Sequence, residues 1–258
     1  MTAPSHPDRP GGTAEPGASA PDGVAERTPT WGMAEPFVAI LLGIFGGVAG
    51  AAIAAFATGA DLEDDSLAVI AGSLLGVWAM YVLVVVPTAR VKGANGVLRD
   101  LGLKAPLRDA GVGFAFGLAA RFALVPLIYE VIDATGLLRD DQLDRLGEPA
   151  ERIADLAEGP SFLLLVLFVG IGAPIFEEIL FRGFLQPAAI RRLGPALGIG
   201  LTSLVFGAVH LQLLQFPGLA AFGAVLGFVA YRTNALLAPI TAHMLFNIVT
   251  LVVLAASR

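Results

Sequence analysis

The chain has 258 residues, of which 56% are hydrophobic and only 15% charged, and its mean hydropathy is +0.76. This composition excludes an ordinary water-soluble globular protein. The net charge of −6, with only two lysines, argues against nucleic-acid binding, and the lack of cysteine excludes disulfides, Cys-ligated zinc and thiol nucleophiles.

The first 30 residues differ in composition from the rest of the chain. They contain six prolines and four glycines among small and charged residues, and no apolar run of the length that a signal peptide needs. Such a segment cannot bury enough apolar surface to offset the entropy of ordering it. We therefore predict a disordered N-terminal tail over 1–30 and an integral-membrane domain over 31–258.

Apolar stretches long enough to cross about 30 Å of hydrocarbon as helices follow the tail. Proline, glycine and charged residues divide these stretches from one another. The pattern predicts an all-α, polytopic membrane helix bundle with about seven spans, at 37–58, 66–87, 110–131, 161–190, 195–214, 217–231 and 235–256.

The connections between the first spans differ in charge. The connection 59–65 holds four acidic residues and no base, whereas the connection 88–109 holds five basic residues, namely Arg90, Lys92, Arg99, Lys104 and Arg108. Basic loops stay preferentially in the cytoplasm. This contrast predicts that 88–109 and the N-terminal tail are cytoplasmic.

Three charged residues interrupt the fourth span: Glu177, Glu178 and Arg182. An ionised side chain at mid-membrane costs about 2.5–3.5 kcal/mol on insertion scales, so such residues usually have a function. Glu178 and Arg182 are four residues apart and can pair on one helix face. Glu177 points about 100° away and has no partner on its own helix.

Two later spans supply further polar groups, namely His210, and His243 with Asn247 one helical turn beyond it. At a rise of about 1.5 Å per residue, Glu177 and these three residues lie about 16–22 Å from the nearest charged or proline end of their spans. They can therefore occupy one layer of the membrane and form a shared polar site.

Two types of chemistry suit these groups. Glu177 and a histidine can hold and deprotonate a water molecule while the other histidine and Asn247 donate hydrogen bonds to an oxyanion, which favours amide hydrolysis. Alternatively, Glu177, His210 and His243 can ligate a divalent metal such as Zn²⁺ that activates the water. The residue types alone leave both mechanisms open, and the zinc-protease pattern His-Glu-x-x-His is absent.

The three motifs resemble those of the CPBP family of intramembrane CAAX proteases and bacteriocin-processing enzymes, also called Abi. The resemblance covers about 161–250 and rests on Glu177-Glu178-x-x-x-Arg182, Phe206-x-x-x-His210 and His243-x-x-x-Asn247. It implies that Glu177 and His210 activate the water, that His243 and Asn247 stabilise the oxyanion or bind metal, and that Glu178 and Arg182 support the site.

The function expected from the residues and the resemblance is an intramembrane endopeptidase or metalloendopeptidase. Its partners would be the lipid bilayer and a membrane-associated protein or peptide, of CAAX type or carrying a leader peptide. The arginine-rich and alanine-rich composition indicates a bacterial cell membrane. The alternative is a transporter in which the same Glu and His residues relay protons.

Overall fold

The computed structural model describes residues 28–62, 66–139, 141–142, 145–156 and 159–257. Most of the tail predicted to be disordered, 1–27, lies outside them. We label the helices α1 (Ala34–Thr58), α2 (Leu67–Lys92), α3 (Val97–Asp100), α4 (Leu107–Ala134), α5 (Glu148–Asp155), α6 (Pro160–Leu193), α7 (Pro195–Val209), α8 (Phe216–Thr233) and α9 (Leu237–Ala256).

The helix lengths agree with the predicted class of fold. In the part of the chain described, six helices are long and apolar enough to cross a membrane, namely α1, α2, α4, α6, α8 and α9. The stretch predicted as a span over 195–214 forms the shorter helix α7, which ends at Val209. Its 15 residues reach only about 22 Å, less than the hydrocarbon thickness. The chain is an all-α integral membrane protein.

Local sequence signals set several helix ends. The Ser66 side chain accepts a hydrogen bond from the backbone N–H of Val69 and so caps the start of α2. Helix α1 is followed by Gly59, with φ of 71°, and α8 is followed by Asn234, with φ of 49°. Glycine and asparagine adopt this left-handed conformation more readily than other residues, and it stops a helix.

Glycines allow α1 and α2 to approach each other closely. A Cβ atom added to Gly76 would overlap the carbonyl oxygen of Gly46, and one added to Gly50 would overlap the carbonyl oxygen of Gly72. Small residues at a four-residue spacing are typical of tightly packed membrane helices. The two helices therefore form a closely packed pair whose outer side chains, such as Phe45 and Leu83, are exposed as lipid-facing residues would be.

Prolines accompany a local widening of α4 and α6. Each π-helical segment among the described residues ends two residues before a proline: Ala120–Leu124 before Pro126, Val166–Gly172 before Pro174, and Ile179–Leu185 before Pro187. A proline cannot donate to the carbonyl four residues earlier and its ring crowds that group. A wider turn lets the carbonyl pair with the next N–H instead. In α6 two such segments flank the short α-helical stretch that carries Glu177 and Glu178.

Helix α6 provides the centre of the core. Nearly every residue of 180–189 is buried, and Phe181, Phe184 and Leu185 are 1% exposed or less. These side chains pack with residues of α1, α2, α7, α8 and α9 in one apolar cluster. The charged residues of α6 therefore lie inside the bundle.

The segment before α1 is attached to the bundle. Trp31 is 1% exposed, and its indole Nε1 donates to the carbonyl of Phe184 at 3.1 Å. Arg191 donates to the carbonyl of Trp31, and the backbone N–H of Thr30 donates to the carbonyl of Lys92. These contacts fix residues 30 and 31 against the ends of α2 and α6, while the domain boundary expected near residue 30 remains a prediction.

Candidate active site

A fully buried ion pair lies at the centre of α6. Arg182 Nη1 donates to Glu178 Oε1 at 3.0 Å, as their four-residue spacing predicts, and both side chains are 0% exposed. Arg182 Nη2 donates to the carbonyl of Gly223 on α8 at 2.9 Å. The guanidinium also lies 4.6 Å from the ring centre of Phe206 on α7. Arg182 thus compensates a buried carboxylate and joins three helices around it.

His243 of α9 is held by the same carboxylate. Its Nδ1 lies 2.9 Å from Glu178 Oε1, and its side chain is 5% exposed. A carboxylate beside an arginine accepts hydrogen bonds, so Nδ1 carries the proton and donates it. In the neutral ring, the lone pair is then on Nε2, at the opposite edge. Glu178 therefore fixes both the orientation and the tautomer of His243.

Glu177 faces this opposite edge of His243. Glu177 Oε2 lies 3.8 Å from His243 Nε2, which is too far for a direct hydrogen bond. Glu177 Oε2 is buried and has no hydrogen-bond partner among the described residues. Two acceptors separated by this distance are complementary to a molecule with two O–H donors, such as water.

Aromatic side chains surround the imidazole of His243. The ring centres of Phe206 and Phe222 lie 5.7 and 5.4 Å from it, and both contacts are edge-to-face. Phe222 also stacks on Phe246 at 4.3 Å. These rings exclude solvent and lower the local dielectric, which strengthens the interactions of His243 with the two glutamates.

His210 lies just beyond the last turn of α7. Its Nδ1 lies 2.7 Å from the carbonyl of Phe206, and the two ring centres are 5.0 Å apart. A carbonyl only accepts, so Nδ1 donates and Nε2 of the neutral ring is an acceptor. Phe206 thus contacts the imidazoles of both His210 and His243.

Asn247 lies one turn after His243 on α9. Its Nδ2 donates to the carbonyl of Val169 at 3.0 Å, within a π-helical segment of α6. This bond uses one of the two N–H donors of the carboxamide. The structure thus brings Glu177, Glu178, Arg182 and His243 into direct contact or proximity, and it attaches Asn247 to the helix that carries the glutamates.

Metal ligation by Glu177, His210 and His243 is the second mechanism that the sequence leaves open. Both histidines donate Nδ1–H to an oxygen, as metal-ligating histidines commonly do. However, the described residues include no group of three or more His, Asp or Glu side chains close enough to hold a metal ion. In this arrangement the three side chains do not form a metal centre, and we derive no chemical step through one.

Some contacts of the site have no signal in the sequence. Phe222 and the carbonyl of Gly223 look like ordinary parts of an apolar helix, and nothing in their spacing predicts that they contact His243 and Arg182. Gln186, one turn after Arg182, likewise donates to the carbonyl of Gly227 on α8. These contacts depend on how α8 packs against α6, which a single sequence does not determine.

Comparisons with known proteins agree with the class of site. Residues 159–249 match the family model described as type II CAAX prenyl endopeptidase Rce1-like. This match confirms the resemblance to the CPBP family that the three motifs indicate. It covers α6 to α9 almost completely and leaves α1 to α5 unassigned.

One curated relative is a bacterial protein. The chain is 29% identical over 105 residues to the protein of Bacillus subtilis (strain 168) named "Putative membrane peptidase YdiL". The aligned part is 41% of this chain and 42% of that protein, so the chain spans less than half of its relative's length. No solved structure matches the chain significantly.

Proposed function

We propose that the chain is an intramembrane endopeptidase that hydrolyses a peptide bond of a membrane-associated protein. The observation that carries this proposal is the pair of acceptors, Glu177 Oε2 and His243 Nε2, which face each other at 3.8 Å inside the bundle. Glu178 and Arg182 hold this pair in place. The family match and the bacterial relative support the same class of activity.

The proposed water lies between Glu177 and His243. It donates one O–H to each acceptor, so its oxygen lone pairs face away from both and can attack a carbonyl carbon. Glu177 accepts a proton from the water as the C–O bond forms. The same proton then passes to the amine as the C–N bond breaks, which leaves a free amine and a carboxylic acid, whose remaining proton is lost to solvent on release.

This proposal pairs Glu177 with His243, whereas the resemblance pairs it with His210. The contact of His243 with both glutamates is the reason for the change, since Glu178 fixes Nδ1–H and leaves Nε2 available to the water. His210 Nε2 is likewise an acceptor in the neutral ring, but a water that donates one O–H to Glu177 and the other to His243 has none left for it, so we assign His210 no contact with this water. An oxyanion donor must be sought elsewhere.

Asn247 is the proposed oxyanion donor. Its carboxamide has a second N–H that the bond to Val169 leaves free, and that bond fixes the orientation of the group. A donor held in advance loses no further freedom when charge develops on the carbonyl oxygen, which is the usual source of oxyanion stabilisation.

The proposals for the substrate class and for the type and orientation of the membrane rest on the family match and on the charge of the connections. The name of the matching family model supports a CAAX-type protein as substrate, and leader-peptide processing remains the second possibility. We propose a bacterial cell membrane with the tail and the basic connection 88–109 in the cytoplasm, because basic loops favour that side.

Mapping of new protein termini tests the proposal. Purified wild type, incubated in bilayers with a membrane proteome, should generate new termini that are absent with Glu177→Gln. Glu130→Gln is the matched control, since Glu130 is an exposed carboxylate on α4, outside the site. Identical termini in all three samples would contradict a protease, and proton movement across the bilayer without any cleavage would favour the transporter alternative.

A further inference from the structure

A cavity of about 690 Å³ lies at one end of the helix bundle. It opens between the connection 93–106, the last turns of α6 and α8, and the start of α9. Glu177, Glu178 and His243 do not line it, whereas Arg182, which pairs with Glu178 in the candidate active site, does. The helix ends around it, at Lys92, Leu193 and Thr233, place it at a membrane surface.

The rim of the cavity is basic. Five basic side chains line the cavity. Arg182 is paired with Glu178, and the other four form the rim together with one acidic side chain, that of Asp100: Arg99, Lys104, Arg191 and Arg232. The carboxylate of Asp100 already accepts hydrogen bonds from the backbone N–H groups of Ala94 and Asn95. Within the described residues, none of the four basic side chains forms an ion pair. The rim therefore presents uncompensated positive charge to any molecule in the cavity.

The floor of the cavity carries two unsatisfied polar atoms. Gln186 is 3% exposed, and its Nε2 donates to the carbonyl of Gly227, which fixes the orientation of the amide. Within the part of the chain that the structure describes, Gln186 Oε1 is then an acceptor without a partner and Arg182 Nε is a donor without a partner, and both atoms are covered by their neighbours. Both residues line the cavity. A hydroxyl group can accept from one and donate to the other.

We propose that this cavity binds a phosphoglycerol group. The phosphate lies against the basic rim. A glycerol hydroxyl reaches the acceptor of Gln186 and the donor of Arg182 by displacing the side chains that cover these two atoms. Basic pockets between membrane helices at the bilayer surface are typical sites for anionic lipid headgroups. The chemistry is shared by phosphatidylglycerol and by free glycerol 3-phosphate, so the experiment separates the two sources.

The test measures binding to the purified full-length protein. Native mass spectrometry in detergent compares phosphatidylglycerol with phosphatidylethanol, which has the same charge and no hydroxyl, and with zwitterionic phosphatidylcholine. Glycerol 3-phosphate is added separately as a competitor. We expect phosphatidylglycerol to bind at least about tenfold more tightly than either other lipid. Competition by glycerol 3-phosphate supports a soluble source, and lipid binding without competition supports a lipid. Equal binding of phosphatidylglycerol and phosphatidylethanol would overturn the proposal.

Charge variants locate the binding. The double variant Arg99→Gln/Lys104→Gln should weaken phosphatidylglycerol binding at least about tenfold. The control Arg90→Gln/Arg192→Gln removes the same charge from exposed residues that do not line the cavity and that form no ion pair within the described residues. Thermal unfolding checks that both variants are folded. An equal loss in both variants, or no loss in the first, would contradict binding in this cavity. The comparison of lipids on wild type does not depend on the variants.

Discussion

Removing the guanidinium of Arg182 should strongly destabilise the folded protein. In Arg182→Ala the carboxylate of Glu178 stays at 0% exposure and keeps only His243 as a hydrogen-bond partner. The variant also loses the bond to the carbonyl of Gly223 and the contact with Phe206. An unpaired buried charge is the largest of these effects.

The expected loss can be bounded. Breaking one side of a buried ion pair typically costs about 3–5 kcal/mol, and a desolvated cation–π contact contributes up to about 2 kcal/mol. We therefore expect Arg182→Ala to lower the free energy of unfolding by about 3–5 kcal/mol. Arg182→Lys should recover only part of it, because an ammonium group lacks the planar fork that reaches both Glu178 and Gly223.

The assay is unfolding by SDS in mixed micelles, followed by the fluorescence of Trp31 and Trp78, the two tryptophans of the chain. Glu178→Gln/Arg182→Met is the informative control, since it removes both charges and leaves none unpaired. Its stability should lie within about 1–2 kcal/mol of wild type, although His243 loses its orienting carboxylate and turnover should fall. An Arg182→Ala protein as stable as wild type would refute the assignment.

Four further outcomes are expected. Glu177→Gln should reduce turnover by about 100-fold to 10,000-fold with substrate affinity kept, as for loss of a general base; a rate near wild type would exclude that role. Asn247→Ala removes the proposed oxyanion donor and should reduce turnover by about 100-fold to 1,000-fold, and Asn247→Asp should reduce it at least as much. An active Asn247→Asp enzyme that a chelator inactivates would instead favour the metal mechanism. Gly76→Ala should destabilise the bundle by about 1–3 kcal/mol in SDS unfolding, because its Cβ would overlap α1. The control Gly111→Ala has open space around it and should be neutral or stabilising. Similar effects of the two substitutions would contradict close packing of α1 on α2. Burial alone would raise the pKa of the Asp100 carboxyl. The hydrogen bonds that the carboxylate accepts from backbone N–H groups and from the Asn95 side chain have the larger effect, so the pKa is lowered. The ionised Asp100 therefore stabilises the folded form above about pH 4, and this stabilisation is lost as the pH falls. In Asp100→Asn the free energy of unfolding should depend less on pH in the acid range.

The class of fold was predictable because the bilayer imposes a simple rule on the sequence. Long apolar stretches between charged and Gly- or Pro-containing connections must become helices, since no other open structure satisfies its backbone in lipid. The ends were harder to predict. His210 was placed within a span, yet α7 stops at Val209, and Leu211 then has a positive φ of 56°. No glycine or proline marks that stop.

Contacts along one helix were predictable and contacts between helices were not. The pairing of Glu178 with Arg182 follows from helix geometry alone. The contact of His243 with both glutamates depends on the rotation of α9 against α6, and the bond from Arg182 to Gly223 depends on the packing of α8. Such packing is decided by small residues and local π-helical turns over many contacts, so the sequence alone does not indicate which pairs of side chains touch.

The most direct test of the account is a double-variant cycle on Glu177 and His243, measured as the rate of peptide cleavage in reconstituted bilayers. If both side chains hold the same water, each single Gln variant removes the activated nucleophile, and the double variant should be no more than a few-fold slower than the slower single variant. If the rate loss of the double variant equals the product of the two single-variant losses, the two side chains act independently, which would contradict a shared water.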